Sequence, residues 1–133
     1  MRAALGLRTF ALQNATYMKS IIAIEEAAMF TLAAVAMYYQ PFEFKWWIWP
    51  LLFLLPDVGM IGYIVSPAVG AFTYNLLHHK AIAILIIITG YLIGNPQLFL
   101  SGLILFGHSS FDRMLGYGLK HTDAFKHTHL GWL

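Results

Sequence analysis

Residues 46–65 read WWIWPLLFLLPDVGMIGYIV, twenty residues with a single carboxylate among them. A bilayer core of ~30 Å takes a helix of ~20 mostly apolar residues to cross it, and this stretch meets that length. It also carries Pro56-Asp57 near its middle, so the segment that decides the fold also places an ionisable group where burial is expensive. Three further runs stand around it: residues 21–39 upstream, then 74–93 and 97–115 downstream. The whole chain follows the same bias, with 59% hydrophobic and only 11% charged residues among 133, against about 25% charged in soluble domains. Four spans predict an all-α, four-helix transmembrane bundle forming a single domain over residues 1–133. Alternating strands of ~10 residues, which a transmembrane barrel needs, are absent from the pattern.

Turn chemistry and charge orient the bundle. Pro41 sits in the first connection, Ser66, Pro67 and Gly70 mark the second, and Gly94-Asn95-Pro96 makes the third. With four spans, Arg2, Arg8, Lys19, Lys80, Arg113, Lys120 and Lys126 share one side and Lys45 lies alone on the other. Seven cations against one place both termini in the cytoplasm of a multi-pass protein of the cell inner (plasma) membrane. Trp46, Trp47 and Trp49 then form an aromatic belt at the outer surface. Residues 1–20 lack the apolar core and cleavage pattern of a removable signal. The chain has no cysteine, which excludes disulfides, thiolate metal sites and cysteine nucleophiles. A net charge of +2 without a basic, aromatic-interleaved patch excludes a nucleic-acid partner.

The groups able to carry chemistry gather towards the cytoplasmic side. Asp57 follows a proline that removes an amide donor and loosens the carbonyl one turn earlier; the plainer alternative is a hydrogen-bonded carboxyl in a structural kink. His108 and Asp112, four residues apart, share one helix face. Adjacent His78 and His79 point ~100° apart, so only one of them joins an interior site, and Asn75 shares a face with that entrance. Glu25 and Glu26 lie about two turns in from Lys19, one of them expected to pair with a cation at the interface. Antiparallel spans bring Asp57, His78, His108 and Asp112 to one layer, and two carboxylates with two imidazoles suit zinc, manganese or iron. Glu26 and Asp57 are the candidate catalytic carboxylates. Tyr63, Asn75, Arg113, Tyr117, Lys120 and His129 are further polar candidates. The tail, residues 116–133, is too polar to span; its glycines allow it to fold back and cap the polar layer through Lys120 or His129.

Glu26, Pro56-Asp57, Gly62-Tyr63, Gly70, Tyr74-Asn75, His78, His108, Asp112-Arg113, Gly116-Tyr117-Gly118-Leu119-Lys120, Phe125 and Thr128-His129-Leu130-Gly131 resemble the small bacterial membrane proteins grouped as domain of unknown function 4260. The resemblance covers residues 24–131 and implies a four-helix integral membrane protein with no assigned activity. Lys126-His127 stands where Lys-Asp is more usual. The order Pro56-Asp57, His78, His108 to Asp112 is also similar to that of small membrane-bound metal-dependent hydrolases, though the signature around their middle histidine is replaced here by Leu77-His78-His79-Lys80.

Two functional readings stay open. One is a membrane hydrolase whose metal activates water against a lipid-like substrate, with Glu26 accepting the proton. The other is a non-enzymatic accessory or assembly subunit, packing on partner membrane proteins or on copies of itself with its polar groups as interhelical glue. A proton or solute carrier is a third, which the lack of polar residues in the outer half disfavours.

Overall fold

The computed structural model describes residues 2–133, with the side chains of residues 2–5 and 7–9 excepted. Arg2 and Arg8, counted above among the cytoplasmic cations, therefore lie outside the described side chains. The described residues are mostly helical: α1 (Arg2–Tyr38), α2 (Ile48–Leu54), a 3-10 helix (Leu55–Ile64), α3 (Pro67–Leu77), α4 (Lys80–Leu92) and α5 (Pro96–Met114), followed by a two-stranded hairpin of β1 (His127–Thr128) and β2 (Gly131–Trp132). Two helical stretches are long and apolar enough to cross a membrane, Phe10–Tyr38 within α1 and Pro67–Leu92 across α3 and α4.

The first helix begins far before residue 21. Residues 2–20 contain no proline and one glycine, and their Ala, Leu, Met and Gln are strong helix formers, so nothing stops the helix between the amphiphilic start and the apolar run. The third run also departs from a single rod over 74–93. Ser66 caps α3 by accepting the Val69 amide, with Pro67 at the first helical position, so Ser66-Pro67 opens a helix and Gly70 lies inside it. The reversal falls at Val65-Ser66, and α3 ends at a break at His78-His79 before α4 resumes.

The second run changes winding after Leu54. Pro56 has no amide to donate to the turn before it, and the chain tightens into ten residues of 3-10 helix, longer than such helices usually run. At three residues per turn, every third side chain lines up. Leu55, Val58, Ile61 and Ile64 form an exposed apolar ridge; Pro56 and Gly59 are buried; Asp57, Met60 and Tyr63 form a half-buried third ridge. The glycine ridge packs on α3 closely enough for the Thr73 hydroxyl to donate to the Gly59 carbonyl at 2.6 Å.

A methyl group at Gly59 would lie 2.8 Å from the Thr73 carbonyl oxygen and 3.1 Å from Tyr74 Cα, backbone atoms that cannot swing aside. Gly59→Ala is expected to cost about 1–3 kcal/mol, read as a lowered thermal midpoint in detergent. Val58→Ala, on the exposed ridge one residue away, should stay within about 0.5 kcal/mol.

Helix α5 is the central element, packed along both α1 and α4, whereas the 3-10 helix packs chiefly on α3. Ala33 and Met37 of α1 meet Leu100, Leu103 and Ile104 of α5 in the main core, with Trp49, Leu52 and Phe106 against it. The molecule thus consists of an α1–α5–α4 layer and a 3-10–α3 hairpin. The candidate site lies where the two meet.

Candidate metal centre

Each layer contributes two donors. The hairpin supplies Asp57 from the third residue after the change of winding and His78 from the break that ends α3; α5 supplies His108 and Asp112 one turn apart. One ligand atom from each of the four falls within 4.8 Å of all the others. His78 Nε2 lies 3.3 Å from Asp112 Oδ2 and 3.7 Å from Asp57 Oδ1. His108 Nε2 lies 3.3 Å from Asp57 Oδ1 and 3.8 Å from Asp112 Oδ1. A tetrahedral ion with bonds of ~2.1 Å separates its donors by about 3.4 Å, so the cross-pair spacings bracket those of a four-coordinate ion. The imidazoles are 2–3% exposed and Asp112 15%, but Asp57 is 34% exposed. Access to the cluster is through Asp57.

The polar groups around the cluster fix how the donors point. His78 Nδ1 stands 2.8 Å from the Tyr74 carbonyl. A carbonyl only accepts, so Nδ1 carries the proton in the neutral ring and Nε2 turns its lone pair to the cluster. The Tyr74 ring stacks on His78 at 3.7 Å, and its hydroxyl donates to Asp112 Oδ2 at 2.5 Å. One side chain thus orients an imidazole with its backbone and a carboxylate with its hydroxyl. Sequence reading passed over Tyr74 as a site residue; its signal is the four-residue spacing to His78. Phe53 closes the far side against the His108 ring.

The remaining candidates sort by position. Glu26 is buried at 7% exposure, bonded to Lys80 and 3.8 Å from the Arg113 guanidinium; it lies outside the four-residue cluster. Arg113 also donates to the His78 carbonyl at 3.5 Å. Glu25 and His79 are exposed, and Glu25 has no ion pair among the described residues. Tyr63 keeps its hydroxyl buried without a hydrogen-bond partner among the described residues, its ring against Phe125.

The tail folds back. Asn75 Nδ2 donates to the Lys120 carbonyl at 2.9 Å, and its Oδ1 accepts the Lys120 amide at 2.7 Å. The Lys120 ammonium lies 4.3 Å from the Phe125 ring centre and 5.8 Å from that of Tyr117. His129 Nδ1 accepts the Leu119 amide at 2.8 Å. Burial against the tail backbone, followed by the nearby Arg113 cation, holds the His129 imidazolium below its ordinary range. Protonating it removes the acceptor. A histidine whose folded pKa is depressed stabilises the docked tail above its unfolded value, ~6.5, and that contribution fades as pH falls through and below it. The Leu119 amide should therefore exchange faster at pH 5 than at pH 7 after correction for intrinsic rates. His129→Gln, which keeps an acceptor, should flatten the dependence.

No curated protein and no solved structure is significantly similar to the chain, so the likeness to membrane-bound hydrolases has no support from them. A family model does match, over residues 19–133, and its span takes in all four cluster residues, Tyr74, Asn75 and the tail that clasps them. The chain belongs to the family described as Domain of unknown function (DUF4260).

Proposed function

We propose that this chain is a multi-pass membrane protein whose Asp57, His78, His108 and Asp112 bind one divalent metal, zinc, manganese or iron, and that the site hydrolyses its substrate with metal-activated water. One observation carries the reading. Among the described residues, His78 Nε2 and both ring nitrogens of His108 are buried with no hydrogen-bond partner, although two carboxylates stand within 4 Å of each Nε2. Buried polar atoms are almost always satisfied. A network serving only as interhelical glue gains nothing by leaving donors and acceptors misaligned, whereas a metal satisfies both Nε2 lone pairs and both carboxylates together and leaves only His108 Nδ1 to be met otherwise. This weighs against the accessory-subunit reading, in which partner proteins or further copies of the chain would explain the polar groups.

A tetrahedral ion held by all four donors has no place for water, so hydrolysis would need Asp57, the most accessible of the four, to give up its bond. The ion, kept by His78, His108 and Asp112, would then lower the pKa of a water in the vacated position to ~7, and the freed Asp57 carboxylate is placed to take its proton. Glu26, already neutralised by Lys80 and Arg113, is a poorer base; its role is to hold Arg113 across the His78 carbonyl. Metal analysis of the purified protein tests the proposal: about one equivalent per chain is expected. Protein that neither retains nor takes up an ion overturns it.

Membrane placement supports the same chemistry. From the Gly94-Asn95 turn, α4 descends ~20 Å to Lys80 and α5 ~25 Å to Asp112 at 1.5 Å per residue, which sets the cluster towards the far side of a ~30 Å core. Lys19, Arg113, Lys120 and Lys126 belong to that end, and Lys45 to the other. A reporter fused after Leu133 should be cytoplasmic and one inserted near Glu43 external; labelling of both from the same side would reject four spans.

A further inference from the structure

A groove of about 350 Å³ lies between the 3-10 helix and α5, lined by Leu52, Leu55, Val58, Leu77, Ser101 and Leu105, with Pro56 and Ile104 also on its wall. It arises because the 3-10 helix packs on α3 and leaves α5 to α1 and α4. Its lining is apolar apart from the Ser101 hydroxyl, which is spent on the Gln97 carbonyl at 2.8 Å.

The groove runs up to the cluster. Pro56 and Val58 flank Asp57 in sequence, Leu77 precedes His78, and Ile104 and Leu105 lie one turn before His108. The ligand at that end is Asp57, the most exposed of the four donors. Ser101 marks the other end, two helical turns or ~10 Å up α5 from His108 towards the Gly94-Asn95 turn. Leu55 and Val58, on the exposed ridge of the 3-10 helix at 59% and 53%, make one wall continuous with the lipid-facing surface. A water-soluble substrate has no use for such an approach. An amphiphile does: its chain can slide in from the bilayer while its polar end stays at the level of Asp57.

We infer that the substrate is a lipid with a linear acyl chain, which lies in this groove and presents its hydrolysable head to the metal at Asp57. The inference rests on the hydrolase reading for the head and on the groove alone for the chain. In the hydrolysis one water would be consumed: an ion held by the cluster would polarise it, Asp57 would take one of its protons, and its oxygen would bond to the carbonyl carbon of the acyl ester or amide. The bond from that carbon to the alcohol or amine would break, and the departing group would take up the proton held by Asp57. The acyl chain would leave as a carboxylic acid, whose remaining proton passes to solvent or to the freed amine.

The probe is a dodecanehydroxamate with a mid-chain diazirine, added to the full-length, metal-loaded chain in phosphatidylcholine vesicles, photolysed and mapped by peptide mass spectrometry. Labelling around Leu52, Leu55 and Leu105 should exceed that of the exposed α1 face at Ile24 and Leu32 by about tenfold, which corresponds to ~1.4 kcal/mol of preference. Ser101→Trp, and independently Leu105→Trp, should remove the excess while metal content stays at the wild-type level. Equal labelling of groove and α1 face overturns the inference, as does an excess that survives both substitutions. A chain that binds no metal but still labels selectively in the groove refutes the hydrolase reading and leaves the lipid site standing.

Discussion

His108→Ala is expected to purify with less than a tenth of the wild-type metal and to show no response to chelator. That result is expected because neither ring nitrogen of His108 has a hydrogen-bond partner among the described residues: its ring packs on Phe53, but its polar edge has nothing to serve except an ion. In the wild-type chain a bound ion would stabilise by linkage, about 2.7 kcal/mol at free metal one hundred times Kd. For a chain of this length that is a thermal midpoint roughly 10 °C higher with metal than after chelation. The variant should show the chelated midpoint in both conditions. Tyr74→Phe makes a finer test. It keeps the stack on His78 and the backbone carbonyl that holds Nδ1, but removes the hydroxyl from Asp112, and should weaken metal affinity by ~10 to 100-fold without lowering the chelated midpoint. Equal midpoints with and without chelator in the wild-type chain, together with no bound ion, would make the cluster a proton-sharing network and end the hydrolase reading.

The four cluster residues were legible in the sequence because each signal was local. His108 and Asp112 needed only helical periodicity; Asp57 was marked by the proline before it; His78 and His79 were separated by the 100° step between neighbours, and the structure buries the first and exposes the second. The elements holding them were less legible. Length and hydropathy make 46–65 a span but are blind to its winding. The signal lay in the triplets Leu55-Pro56-Asp57, Val58-Gly59-Met60 and Ile61-Gly62-Tyr63, where an apolar residue, a proline or glycine, and a third type recur with period three instead of 3.6. The break at His78-His79 was missed for a different reason. No proline or glycine stands there to mark it. Long-range pairing was hardest to see. Nothing local in Glu26 predicts Lys80, fifty-four residues away, or in Asn75 its clasp on Lys120.

Removing Gly116–Leu133 should lower the thermal midpoint by roughly 10 °C or more, a larger effect than a solvated terminus would have. The tail is tied on at its root. Gly116 takes φ +92, its amide reaches the Arg113 carbonyl at 3.0 Å and the Tyr117 amide the Asp112 carbonyl at 2.8 Å, the paired bonds of a Schellman cap. Gly116 thereby reverses the chain, and one carbonyl that anchors the reversal belongs to Asp112, whose carboxylate stands in the cluster. Deletion then strands both polar atoms of Asn75, at about 1 kcal/mol for each hydrogen bond. It also removes the Phe125 edge from the Tyr63 ring, worth about another 1 kcal/mol, and uncovers the sites that bury Lys120 and Thr128 at 5% and 2% exposure. The sum is about 3–5 kcal/mol. Asn75→Ala isolates the clasp and should account for about half of the loss. Because the Asp112 carbonyl is one end of the cap, the truncated chain should also hold metal less tightly, whereas Asn75→Ala should not. A truncated chain with the wild-type midpoint and wild-type metal content would show that the tail rests on the centre without supporting it.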